Sequence, residues 1–188
     1  MSLHGYKRIL LLTGSPSVGK TTVLLKVVEM LRSRDFRLGG IVSREIRSCG
    51  ERVGFEIVDL ECGKSGWLAH TNLAHGPTVG RYRVNLDDLD RIGSSAIRNA
   101  VEGSDVVVID EVGPMELLSQ RFCSAVKVAA DSSKLVVGVI HLKSKGALAD
   151  YLNTKTDTEQ FTTTVSNRDE LPKIVTQKAL QFLENQSR

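Results

Sequence analysis

The chain has 188 residues, 41% of them hydrophobic, with 25 Lys and Arg against 22 Asp and Glu for a net charge of +3. That is enough material for one globular core, read as a single domain over residues 1–188, and the dispersed charge lacks the basic stripe of a nucleic-acid surface, so no nucleic-acid partner is expected. Three cysteines without C-x-x-C spacing argue against a disulfide framework, and no apolar run approaches the roughly 20 residues that cross a bilayer, so the expectation is a protein of the cytoplasm with reduced thiols and no membrane partner.

The first element is an unbroken apolar run, Ile9 to Leu12, of the kind found in strands buried on both faces of a parallel sheet. It opens into Gly14-Ser15-Pro16-Ser17-Val18-Gly19-Lys20-Thr21, which is G-x-x-x-x-G-K-[ST], the phosphate-binding loop. Each position has a physical task. Gly14 and Gly19 let the backbone turn its N–H groups inward as an anion nest, and the helix that starts near Gly19 aims its positive end at the same place. Lys20 reaches the β- and γ-phosphates as a point charge, and the Thr21 hydroxyl suits a Mg²⁺ that keeps several of its waters. Thr22 continues the helix, so residues 14–22 form the candidate nucleotide-binding segment.

Helical spacing of Leu24, Val27, Val28 and Leu31 carries this helix to Arg34. Gly39-Gly40 ends the unit, and Ile41-Val42 begins a short second strand that delivers Ser43-Arg44-Glu45-Ile46-Arg47 to the ligand side of the sheet. Arg44 and Arg47 are thereby candidates to meet phosphate charge, or else belong to a solvated loop. From Cys49 to Ala69 the texture changes to period-two alternation around the turn Glu61-Cys62-Gly63-Lys64, which predicts an antiparallel hairpin inserted at about residues 50–70. Trp67, the one tryptophan, is expected to pack within it. His70 and His75, five residues apart without a nearby cysteine, lack the pattern of a metal pair. Tyr82 to Val84 reads as an edge strand and Leu86 to Val101 as a helix containing Gly93.

The second chemical element is Asp105-Val-Val-Val-Ile-Asp110-Glu111. Four β-branched residues predict a central buried strand, and a buried carboxylate at its end costs several kcal/mol unless a cation or donor meets it. Asp110 is the expected outer ligand of a Mg²⁺ held by Thr21, and Glu111, one residue on, is placed to orient or deprotonate water. Beyond it, Glu116 to Ala130 reads as a helix, Leu135 to Ile140 as a buried strand, Lys145 to Leu152 as a short helix and Phe161 to Val165 as a last strand. Asn167 and Glu170 form the pattern of a capping box before an amphipathic helix to Leu183.

Taken together, TGSPSVGKTT at 13–22, GGIVSREIR at 39–47, GERVGFEI at 50–57, GRYRV at 80–84, DEVGPMEL at 110–117 and SNRDEL at 166–171 resemble the THEP1-type, or cancer-related, nucleoside-triphosphatase family. The resemblance implies a RecA-like α/β fold, slow Mg²⁺-dependent hydrolysis of several nucleoside triphosphates with loose base selectivity, and the roles above for Lys20, Thr21, Asp110 and Glu111. It adds Arg44, Glu45 and Arg47 as site neighbours and Asn167 and Arg168 as candidate base contacts. Many members carry Gly where this chain has Ser17, at the tip of the loop. Two other readings use the same loop: a nucleoside or nucleotide kinase, which replaces water by a bound hydroxyl, and a nucleotide-dependent switch. For the latter, Asp110-x-x-Gly113 and Thr154-Lys155-Thr156-Asp157 echo GTPase motifs, although the second lies far past its nearest upstream strand. Any protein partner is unknown from sequence.

Overall fold

The computed structural model describes residues 6–141 and 147–186. Nine strands form one continuous sheet: β1 (Ile9–Thr13), β2 (Leu38–Ser48), β3 (Glu51–Asp59), β4 (Ser65–His70), β5 (Thr78–Val79), β6 (Tyr82–Val84), β7 (Val106–Val112), β8 (Leu135–Ile140) and β9 (Thr158–Thr162). Their spatial order is β5-β6-β4-β3-β2-β7-β8-β1-β9. The run β2-β7-β8-β1-β9 is parallel, and β3, β4, β6 and β5 extend it as antiparallel neighbours. The α/β class expected from the apolar runs is the one observed.

Strands β1, β7 and β8 are buried along most of their length because helices cover both faces. On one face α1 (Lys20–Arg32) and α6 (Leu171–Gln186) pack together over Leu10, Leu12, Val106, Val108 and Val137. On the other, α3 (Ser95–Gly103), α4 (Gln120–Asp131) and α5 (Ala147–Thr154) cover Ile9, Leu11, Ile41, Val107 and Ile109. The alternation of these residues along each strand follows from side chains pointing to opposite faces with period two.

Several expected boundaries move. The second strand is not short: β2 spans 11 residues, pairing with β7 through Ile41 and with β3 from Ile41 to Ser48. Ser43 to Arg47 are therefore strand, not loop; the antiparallel hairpin expected at about 50–70 is present as β3 and β4, and it is continuous with the main sheet. The helix read over Leu86–Val101 begins with one turn, α2 (Leu86–Asp88), and passes through a π-helical segment, Leu89–Ser94, before α3. Gly93 lies in that segment with Ile57 Cδ1 2.7 Å from where its Cβ would stand, so the widened turn presses its backbone onto β3. The helix read over Glu116–Ala130 is broken. A 3₁₀ turn at Glu116–Leu118 ends at Ser119, whose Oγ accepts the Phe122 N–H at 2.9 Å and starts α4 afresh.

The last strand is Thr158–Thr162, not Phe161–Val165, and Val165 is 70% exposed. Lys145, the expected start of the short helix, lies outside the described residues, and α5 runs Ala147–Thr154. Trp67 is 38% exposed and packs within the hairpin against His70 of the same strand, the ring centroids 4.6 Å apart and the planes tilted by 57°.

One close approach fixes how β2 meets β7. Gly40 has φ +107°, and a Cβ there would stand 2.1 Å from the Val108 carbonyl oxygen on the paired strand. Gly40→Ala should therefore lower unfolding free energy by at least about 3 kcal/mol, from backbone strain and strand separation together. Urea unfolding of the variant beside the unchanged protein measures this.

Candidate functional site

The carboxyl ends of the parallel strands bring the loop and the acids together. Residues 14–19 leave β1 and close onto α1, with Gly14 at φ +146° and Gly19, the helix N-cap, at φ +105° in the left-handed region. A Cβ on Gly14 would meet the Thr163 carbonyl at 2.5 Å, so the loop is pressed against the strand end that follows β9. Thr163 is itself buried, and its amide donates to the Thr13 carbonyl at 2.7 Å. Ser17 has φ 60°, a conformation that favours glycine and costs a serine on the order of 1 kcal/mol. This is the physical content of the departure at Ser17.

Lys20 is 8% exposed, and its ammonium donates to the Gly14 and Ser15 carbonyls, each at 3.3 Å. It is held across the mouth of its own loop. Ser15, Pro16 and Ser17 are exposed, Val18 and Thr21 half-buried, and Thr22 exposed on the first turn of α1.

Asp110 is 1% exposed at the end of β7. Its Oδ1 accepts from Thr21 Oγ1 at 3.2 Å, and its Oδ2 accepts from Ser43 Oγ at 3.3 Å and more weakly from Ser43 N–H at 3.5 Å. Burial, and then the neighbouring Glu111 charge, push this carboxyl up to about 6, while the bonds from Thr21 and Ser43 pull the other way. Glu111 is half-buried and joined to Asp110 by a cis peptide bond. Its carboxylate turns to Gly113, where a Cβ would lie 2.6 Å from Oε1.

Two further side chains join the site through contacts that local sequence does not show. The sequence puts Ser43 near the ligand side without a partner; the β2–β7 pairing brings its hydroxyl to Asp110. The sequence pattern reads Glu116 as a helix start. It is instead buried at 5% exposure and accepts the Gly113 N–H at 3.1 Å. Burial pushes its carboxyl up to about 8, with the Glu111 and Asp110 charges adding to the rise. An acid three residues after Gly113 in a 3₁₀ turn was the available signal.

Other expected neighbours separate from this centre. Arg44 is exposed on β2 opposite Glu56, and its side chain makes no hydrogen bond or ion pair among the described residues. Glu45 is committed to Arg47 at 2.6 Å and Arg52 at 2.9 Å; although burial pushes its carboxyl up, those bonds hold it below the usual carboxylate range. Asn167 caps no helix with its side chain. Its Oδ1 accepts the Thr164 N–H at 2.8 Å and its Nδ2 donates to the Thr162 carbonyl at 2.9 Å, so it folds the 162–168 turn back on itself. The capping-box partner Glu170 is exposed and its carboxylate meets Lys173. Arg168 lies over Gly19, and with Thr22, Val23, Lys26 and Asp169 it lines a cleft of about 210 Å³ beside the start of α1.

A model of a family described as NTPase matches residues 9–176. The chain belongs to that family. It is 49% identical over 172 residues to nucleoside-triphosphatase THEP1 of Methanosarcina acetivorans, covering 91% of this chain and 96% of that one. Among solved structures it is similar to THEP1 from the hyperthermophile Aquifex aeolicus, at 28% identity and TM-score 0.77, covering 89% of this chain and 96% of that one. It is also similar to a human cancer-related nucleoside triphosphatase, at 34% identity and TM-score 0.76, covering 90% and 96%.

The buried acid at position 116 makes stability depend on pH. A carboxyl near 8 when folded and near 4.5 when unfolded keeps its proton in the native state while the unfolded chain has lost it, so stability falls as pH rises between those values. Glu116→Gln removes this penalty. It should leave the melting temperature nearly unchanged at pH 5 and raise it at pH 8.5 by at least about 3 °C, the shift that roughly 1 kcal/mol gives in a chain of this size; thermal melts across that range check it.

Proposed function

We propose that this chain hydrolyses nucleoside 5′-triphosphates to the diphosphate and phosphate, with Mg²⁺ and with little preference among bases. The observation that carries the reading is the hydrogen bond of Thr21 to Asp110, because it joins the phosphate-binding loop to a buried strand-end acid across 89 residues of sequence. The relatives named as nucleoside-triphosphatases support the same reaction class.

In this reading the N–H groups of residues 14–19 and the positive end of α1 take the β- and γ-phosphates, and Lys20 leaves its loop carbonyls for the γ-phosphate oxygens. Thr21 and Asp110 fit a Mg²⁺: both offer hard oxygen donors 3.2 Å apart, and Asp110 is a desolvated acid whose raised proton affinity a dication would reverse. Bound there, the ion would neutralise charge on the phosphates. Glu111, which has no hydrogen-bond partner among the described residues, accepts a proton from the attacking water at its carboxylate as the water oxygen bonds to Pγ and the bridging P–O bond breaks. Ser43 holds Asp110 Oδ2 and so keeps Oδ1 facing Thr21.

For the base, the cleft beside α1 offers Lys26, Arg168 and Asp169 around Gly19 and Thr22 but no aromatic platform. Arg168 is its contact group, and Asn167 serves by shaping the turn that presents it. The switch reading loses its guanine-reading motif. Asp157 is bound to Arg8 at 2.8 Å next to the start of β9, which pairs with the first residue of β1, at the end of the sheet opposite the phosphate loop.

Lys20→Ala should abolish triphosphate hydrolysis while leaving the fold intact, and retained wild-type turnover would remove the loop from the mechanism. The two carboxylates should fail differently. Asp110→Asn should weaken Mg²⁺-dependent nucleotide binding, whereas Glu111→Gln should bind Mg·ATP as well as the unchanged protein and lose roughly 10²-fold or more in kcat. Calorimetric affinity beside single-turnover hydrolysis separates the two, and Glu111→Gln turnover within about threefold would return the water-handling role to another acid.

ATP, GTP, CTP and UTP should differ in kcat/KM by less than about 100-fold, or ~2.7 kcal/mol. Phosphate release from each, with and without nucleoside acceptors, measures this. A 10⁴-fold preference for GTP would overturn loose selectivity, and consumption dependent on a nucleoside acceptor would make the chain a kinase.

A further inference from the structure

Gly113 is not required by its own backbone. Its φ lies outside the left-handed region in which Gly14, Gly19 and Gly40 sit, so an alanine would be conformationally acceptable there. What fills the space beside it is carboxylate: Glu111 Oε1 at 2.6 Å and Glu116 Oε2 at 3.0 Å from the position of a Cβ, with the Glu111 Cγ at 3.3 Å. Glu116 is tied to this point by the Gly113 N–H, and the Leu117 N–H to Gly113 carbonyl bond at 3.0 Å closes the same turn.

Glu111 has no hydrogen bond or ion pair of its own among the described residues. Its direction is therefore set by what it rests on. We infer that Gly113 and Glu116 together form a seat that aims the Glu111 carboxylate at the attacking water: Gly113 by lacking a side chain, and Glu116 by holding the turn from behind. Both are positioning residues, and the inference rests on Glu111 handling water. The electrostatics agree. A buried Glu116 near 8 carries its proton at neutral pH, so it stands beside Glu111 without adding a second negative charge.

The competing reading is that Gly113 and Glu116 merely stabilise the turn, in which case activity and stability should fall together. The test uses Gly113→Ala, Glu116→Leu, Glu116→Gln, Glu111→Gln and the Gly113→Ala/Glu111→Gln double variant in the full chain. Each is measured for melting temperature, Mg·ATP affinity and single-turnover phosphate release. Because the atoms an added Cβ would displace are the ends of flexible side chains, Gly113→Ala should fold and bind Mg·ATP within about twofold of the unchanged protein. Its single-turnover rate should fall by about tenfold or more, as misplacing a catalytic group by about 1 Å does. Glu116→Leu should move the rate the same way, and Glu116→Gln, which still accepts the Gly113 N–H, should stay within about threefold. The double variant should be no slower than Glu111→Gln alone, because the seat acts only through Glu111.

A Gly113→Ala rate within threefold of the unchanged protein, with Glu111→Gln strongly impaired, overturns the seat and leaves the hydrolase reading standing. So does a double variant slowed by the product of the two single effects. If Glu111→Gln itself turns over normally, the assignment of Glu111 falls and the seat falls with it. Should Glu116→Leu fail to fold, Gly113→Ala still decides.

Discussion

The structure turns on one carboxylate taken out of water. Asp110 follows four apolar, fully covered residues of β7, so it shares their burial and must find partners within the protein or carry a proton. The partners arrive from two distant segments: Thr21 from the first turn of α1 and Ser43 from the middle of β2. Neither can reach it unless β2 lies against β7 in the register that pairs Ile41 with Ile109, and α1 leaves the loop at the end of β1 with the observed direction. The tight approach of Gly40 to Val108 is the local condition for that register. The register of the sheet and the geometry of the site are thus linked, because the residues that set the strand spacing also set the donor geometry.

The long β2 divides the molecule's labour. Its first half, Leu38 to Val42, is buried and belongs to the parallel part of the sheet; its second half, from Ser43, leaves that core and carries the antiparallel strands β3, β4, β6 and β5. Ser43 stands at the crossing. Past it, charges pair with one another along the wing: Glu45 with Arg47 and Arg52, and Arg52 in turn with Tyr82, which packs edge-on against Phe55. Such exposed pairs add little stability individually. They do keep Glu45 occupied on the wing, away from Asp110, whose partners are Thr21 and Ser43.

What the sequence made legible followed from local chemistry. The phosphate loop, the apolar strands and the acid pair after Ile109 declare themselves because each depends on adjacent residues with a fixed period or spacing. Ser43 and Glu116 did not, since their roles exist only through contacts 67 residues away and through a 3₁₀ turn that periodicity reads as the start of a helix. Boundaries erred for the same reason. Phe161 to Val165 is β-branched enough to read as strand, but the strand ends at Thr162 because Asn167 ties up the Thr162 carbonyl and the Thr164 amide. The Asn167–Glu170 spacing mimics a capping box, yet that same turn uses the asparagine's amide before any helix begins.

The three acids after β7 also set a limit on one another. Three ionised carboxylates this close and this poorly hydrated would repel strongly, and the response differs at each according to what surrounds it. Asp110 has hydroxyl donors from Thr21 and Ser43, so its charge is met in part from the loop side and from β2. Glu116 has only a backbone N–H and burial, so the cheapest solution there is a retained proton. Glu111 is half-buried and makes no side-chain hydrogen bond or ion pair among the described residues. The three acids therefore differ in burial and hydrogen bonding, and Gly113 leaves room for two of them against one point of the backbone.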